Sequence, residues 1–155
     1  MDTLPRRPTI ALFYRALLSL LEKWVVLPDI NPAYYQALAI GLSVLFFYTQ
    51  VDWQRALIIG VVLLTDWLDG ATARRYRQAS KSGYISDVVI DRASEAMLFL
   101  AEAGTALGQG FFLLWMINCG LTFYSARSNK HLSLPLRFAY MMILIAQAVW
   151  SANLI

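Results

Sequence analysis

Cysteine, histidine and charge are all scarce in this chain. Cys119 is the single cysteine among 155 residues, so an internal disulfide and a thiolate metal cage are excluded. His131 is likewise alone, which excludes zinc sites built from several imidazoles and haem ligation by an imidazole pair. Charged side chains make up 15% of the chain and apolar ones 59%, against roughly a quarter and about half in soluble domains. The net charge of +3 is small, and the basic residues gather at the ends of apolar segments. That pattern speaks to membrane topology and anionic headgroups, with no nucleic-acid partner expected. A mean hydropathy of +0.53 completes the picture of a chain dissolved in lipid.

What the sequence does contain is a series of apolar segments. Residues 9–28 carry Ile10, Phe13, Tyr14, Leu17, Leu21, Trp24 and Val25 on one helical stripe, with Arg15, Ser19, Glu22 and Lys23 largely opposite. Such a helix lies on a membrane surface rather than across it, and its charges interrupt the run that a cleavable leader requires. Five crossings follow in 33–155: about 33–48, 53–75, 84–107, 111–126 and 135–155. Gly108-Gln109-Gly110 is expected to form the turn between the third and the fourth. The expected fold is all-α, a polytopic transmembrane helical bundle with an amino-terminal amphipathic surface helix, forming one domain over 1–155. Arg6, Arg7, the cluster of Arg74, Arg75, Arg77 and Lys81, and the cluster of Arg127, Lys130, His131 and Arg137 all fall on one side. The positive-inside rule makes that side cytoplasmic, along with the amino end.

Carboxylates stand inside these segments, where each costs roughly 2.5–3.5 kcal/mol if unpaired. Asp66 and Asp69 are three residues apart and Asp87 and Asp91 four apart, so each pair shares a helical face. A short basic loop joins the two segments, which lets all four groups converge. Convergent carboxylates call for divalent cations, two ions about 4 Å apart, which would also bridge the phosphates of a diphosphate substrate. Gly70 and Ala73 leave the face of the first pair open to a base and ribose, and Gly83 opens the facing helix. Arg74 offers a donor fork suited to phosphate. Asp91 lies deepest from the loop and is the best candidate for a general base, although spacing alone leaves that choice open among the four. Glu95 is placed for an internal ion pair with Arg92, Glu102 has no obvious partner, and Asn118 is suited to bridging helices.

The full pattern is Asp66-x-x-Asp69-Gly70-x-x-Ala73-Arg74, eight residues, then Gly83-x-x-x-Asp87-x-x-x-Asp91. It resembles the signature of the CDP-alcohol phosphotransferases at every fixed position. The resemblance implies an integral membrane enzyme of phospholipid biosynthesis, and the positive-inside rule puts its acid motif at the cytoplasmic ends of the second and third crossings. Such an enzyme moves a phosphoryl-alcohol group, commonly phosphatidyl, from a CDP-linked donor to an acceptor hydroxyl and releases CMP. It further implies that Asp66, Asp69 and Asp87 hold the metal, with Asp91 beside it as base. Gly70, Ala73, Arg74 and Gly83 would line the cytidine diphosphate site. Tyr124-Ser125-Ala126-Arg127 resembles a motif of members that use phosphorylated acceptors, which makes Arg127, Lys130 and Arg137 a candidate acceptor-phosphate pocket. Homodimerisation is implied as well, and a sixth crossing beyond the five counted here, which is either missing or merged into one of them. Two other function classes suit an acid-lined bundle, a divalent-cation transporter and a catalytically silent assembly subunit. The first expects polar residues across the whole membrane.

Overall fold

The computed structural model describes residues 22, 25, 27–76, 81–128 and 133–153. The expected surface helix, 9–28, lies almost wholly outside these. Among the described residues the fold is entirely helical: α1 is Ala33–Phe46, α2 Asp52–Arg75, α3 Lys81–Ala101, α4 Ala106–Ser128 and α5 Leu136–Ala152. Two of these, α2 and the Ala106–Ser125 part of α4, are long and apolar enough to cross a bilayer, while α1 and α5 are shorter apolar helices. Acids and Arg92 dilute the apolar character of α3.

Local chemistry sets the boundaries. Asn31 accepts the Ala33 amide through its Oδ1 at 3.0 Å, and the fixed φ of Pro32 starts α1. Pro135 occupies the same place before α5. The connection between α3 and α4 differs from the sequence expectation. The helix ends at Ala101, the turn is Glu102–Thr105, and Gly108 and Gly110 lie inside α4. The reason is a cap invisible to a search for glycine. Thr105 Oγ1 donates to the Glu102 carbonyl at 3.0 Å and accepts the Gly108 amide at 3.0 Å, as Ser and Thr do at helix starts. Gly108 is needed because the turn folds onto it: a Cβ there would stand 2.0 Å from the Glu102 carbonyl oxygen.

Packing follows a chain of neighbours. α1 lies against both α2 and α3, α2 against α5, α3 against α4, and α4 more loosely against α5. Among the described residues, the two helices that carry the acid pairs pack little on one another; α1 lies against both, and α5, packed on α2, reaches α3 through side chains such as Tyr140 against Phe99. The shared core is Phe46 of α1, Ile59 and Val62 of α2, Leu98 and Phe99 of α3, Phe111 of α4, and Tyr140 and Leu144 of α5. Phe99, Phe111 and Tyr140 form an aromatic triangle with centroids 4.8–5.6 Å apart, joining α3, α4 and α5. Ser43 and Ser94 share a hydrogen bond of 2.7 Å between α1 and α3. Such a bond is worth about 0.6 kcal/mol in a membrane bundle. The outer surface carries Leu38, Leu57, Val89, Leu113, Ile117, Phe138 and Val149 exposed, a large apolar surface of the kind that faces lipid.

At the end of the bundle away from the acid motif, Glu102 has the partner that sequence did not supply. It forms a buried ion pair with Arg55. Arg55 Nε also donates to the Thr49 carbonyl at 2.7 Å, and its guanidinium lies 5.2 Å from the centre of the Phe46 ring. One arginine therefore ties the α1–α2 connection to the end of α3.

Candidate active site

The end of α2, the start of α3 and the start of α5 come together at one end of the bundle. Asp66 and Asp69 come from α2, Asp87 and Asp91 from α3, and Arg137 from the first turn of α5. The four carboxylates act within one electrostatic field: Asp66 is felt by Asp69, Asp87 and Asp91, and Asp87 by Asp69 and Asp91. Since α2 and α3 hardly pack, the convergence expected from two neighbouring helices is achieved differently. Arg137 spans them. Its Nη1 lies 2.5 Å from Asp66 Oδ2, its Nη2 2.7 Å from Asp91 Oδ1, and its Nε 3.6 Å from Glu95 Oε1. The guanidinium is buried, which is tolerable only because carboxylates surround it. The contact with Asp91 is an aligned hydrogen bond, whereas Nη1 has no aligned acceptor and meets Asp66 as a close but poorly directed charge.

Further side chains support this centre. Glu95 is 2% exposed and contacts Arg92 at 2.7 Å as well as Arg137, which makes the ion pair expected with Arg92 one half of its role. Asn118 bridges α4 to α3 through a hydrogen bond with Glu95, and it ties α4 to the segment ahead of α5: its Nδ2 donates to the Leu134 carbonyl at 3.2 Å, and its Oδ1 accepts the Leu134 amide at 2.8 Å. Those two bonds fix the backbone just ahead of Arg137. Asp69 is buried, with Gln36 of α1 hydrogen-bonded to it and Oδ2 left without a partner. Gln36 escaped the sequence reading, although a lone amide in the apolar run of α1 was the available signal. Arg74 folds back along α2, where a Cβ on Gly70 would stand 3.1 Å from its Nη1, and it pairs with Glu22. Ala73 is partly exposed and Gly83 exposed. Of the candidate acceptor residues, Arg137 sits among the acids; the Arg127 side chain and all of Lys130 fall outside the described residues.

Among the described residues, no three Asp, Glu, His or Cys side chains are grouped closely enough to hold a metal ion as they stand. The residues nonetheless fit a divalent cation. Asp69 presents a buried oxygen with no partner, and a positive group already stands between Asp66 and Asp91. The donors are all hard carboxylate oxygens, the type that selects magnesium or manganese.

A family model described as CDP-alcohol phosphatidyltransferase matches residues 25–145, most of the chain and all of this site. The chain belongs to this family. Phosphatidyltransferases named CDP-diacylglycerol–glycerol-3-phosphate 3-phosphatidyltransferase from Escherichia coli K12, Shigella boydii and Shigella sonnei are each 38% identical over 73 residues. That stretch covers 44% of this chain and 40% of each relative, so the similarity spans less than half of either protein. No solved structure matches. Family membership, together with two apolar helices of crossing length, makes this a membrane-associated phosphatidyltransferase-family protein of phospholipid biosynthesis.

Proposed function

We propose that the chain transfers a phosphatidyl group from CDP-diacylglycerol to a phosphorylated polyol of the glycerol 3-phosphate type, releasing CMP. The observation that carries this reading is a buried arginine bridging Asp66 and Asp91 at one end of the bundle, with Asp69 and Asp87 near enough to act on Asp66 electrostatically. The relatives' names supply the donor and the acceptor class. Asp66, Asp69, Asp87 and Asp91 would hold Mg2+ or Mn2+, two ions by family resemblance. Bound there, the cations would neutralise the diphosphate and stabilise charge on the departing CMP oxygen.

The chain's own residues do the rest. Asp91 takes the proton from the acceptor hydroxyl as its oxygen attacks the phosphorus on the lipid side of the diphosphate. The bond to the bridging oxygen breaks, and CMP leaves with that oxygen. Gly70, Ala73 and Gly83 give the nucleotide access to the backbone, and Arg74 meets a phosphate. Arg127, Lys130 and Arg137 supply positive charge for the acceptor's phosphate. The site opens toward the cytoplasm, where CDP-linked donors are made, and the basic segments beside α2 and α5 face the same side. The chain works as a homodimer. The layer beneath the acids, formed by Ile59, Val62, Leu98, Phe99 and Phe111, is apolar and packed, which favours an enzyme site over a cation path.

Purified protein in detergent, given labelled CDP-diacylglycerol and a panel of polyol phosphates and free alcohols, tests the reading. CMP release that requires Mg2+ or Mn2+ and is fastest with a polyol phosphate is expected. Release that persists in excess chelator, or no release with any acceptor, contradicts it.

A further inference from the structure

Arg137 holds the acids that a metal would need. A buried guanidinium is stable only while its charge is matched, and here the match comes from Asp66 on α2, with Asp91 and Glu95 on α3. The same contacts link α2 and α3 across the site. Among the described residues, no three carboxylates stand close enough together for an ion. Cation and guanidinium cannot both have Asp66 and Asp91 as they now stand. We propose that Arg137 competes with a divalent ion for Asp66 and Asp91, so that an ion taking these two acids displaces the guanidinium toward Glu95. The proposal rests on the metal-dependent reading above.

Three features assign the direction of that exchange. The contact with Asp66 is close but lacks an aligned hydrogen bond, so it is the weaker of the two and the first to yield. Glu95 lies outside the motif, is almost fully buried, and approaches Arg137 Nε at 3.6 Å, a gap that can close to a full ion pair. Glu95 already pairs with Arg92 at 2.7 Å and hydrogen-bonds Asn118, so its carboxylate would be shared between the two arginines once the aspartates are taken. Asn118 pins Leu134 on both its amide and its carbonyl. The exchange is therefore a side-chain rotation, with the start of α5 held in place. The displaced guanidinium remains beside the loaded centre, where an incoming phosphate meets it only after the metal has bound.

Mn2+ binding to the purified full chain in detergent, followed by electron paramagnetic resonance without any substrate, tests this against Arg137→Met and Arg137→Lys. Removing the competing charge should tighten Mn2+ binding by about tenfold or more in Arg137→Met. Arg137→Lys, which keeps charge but loses the two-armed grip, should fall between that variant and wild type. Thermal unfolding gives a second readout: Arg137→Met should melt below wild type without metal, and should gain more from saturating Mn2+. If Arg137→Met does not fold without metal, the ordering of Arg137→Lys against wild type decides. Equal or weaker Mn2+ binding in the variants, with wild type still binding Mn2+ and releasing CMP, overturns the exchange and leaves the enzyme reading standing. Failure of wild type to bind Mn2+ overturns both.

Discussion

Asp91 stands where two duties meet. It carries the aligned hydrogen bond to Arg137, and in the proposed reaction it takes the acceptor's proton. Replacing it with asparagine keeps the size and some hydrogen bonding but removes the basic oxygen. Asp91→Asn should lower CMP release by at least about a hundredfold, the lower range for loss of a general base. Titration with a cytidine nucleotide should show its binding largely kept. Turnover at the wild-type rate in that variant would assign the proton to another group. Gln36 shows what single-residue reading overlooks. It is one polar side chain in an apolar helix, and its importance lies only in the Asp69 oxygen that it meets.

At the level of elements, the sequence was legible where chemistry is local. The apolar run of 33–48 gave α1, and both acid pairs fall on helices, as their spacing required. It failed where a partner is distant in sequence. The α3–α4 turn was assigned to the glycines at 108 and 110, because the cap from Thr105 competes silently with the stronger glycine signal. The convergence of the acids was expected from α2 and α3 packing together, whereas α5 supplies the bridge through a residue read as part of a basic loop. Glu102 is the same lesson at the far end of the bundle, since its partner Arg55 lies 47 residues earlier. Removing one member of that buried pair strands the other. Glu102→Ala should destabilise the bundle by about 3–5 kcal/mol, read by thermal unfolding in detergent. Arg55→Met combined with Glu102→Leu should recover most of that loss. An Ala variant that melts like wild type would show the pair to be dispensable.

For the whole molecule, two ends of one bundle carry opposite kinds of polar chemistry. Arg55 and Glu102 neutralise one another completely at one end and fasten α1, α2 and α3 together. At the other end, Asp66, Asp69, Asp87 and Asp91 outnumber Arg137, and one Asp69 oxygen is left without a partner. The apolar layer between them, with its aromatic triangle, keeps the two separate. An excess of carboxylates over cations at one end of an apolar bundle has a physical cost that a divalent ion would remove, and this would link the family motif to its proposed chemistry. The most direct test is anomalous scattering at the manganese edge from crystals of the protein grown with Mn2+. The expected result is a peak ringed by Asp66, Asp69, Asp87 and Asp91, with the Arg137 guanidinium moved toward Glu95. Bound manganese elsewhere, or none with the arginine still bridging Asp66 and Asp91 at saturating Mn2+, would contradict the assignment of these acids as the catalytic centre.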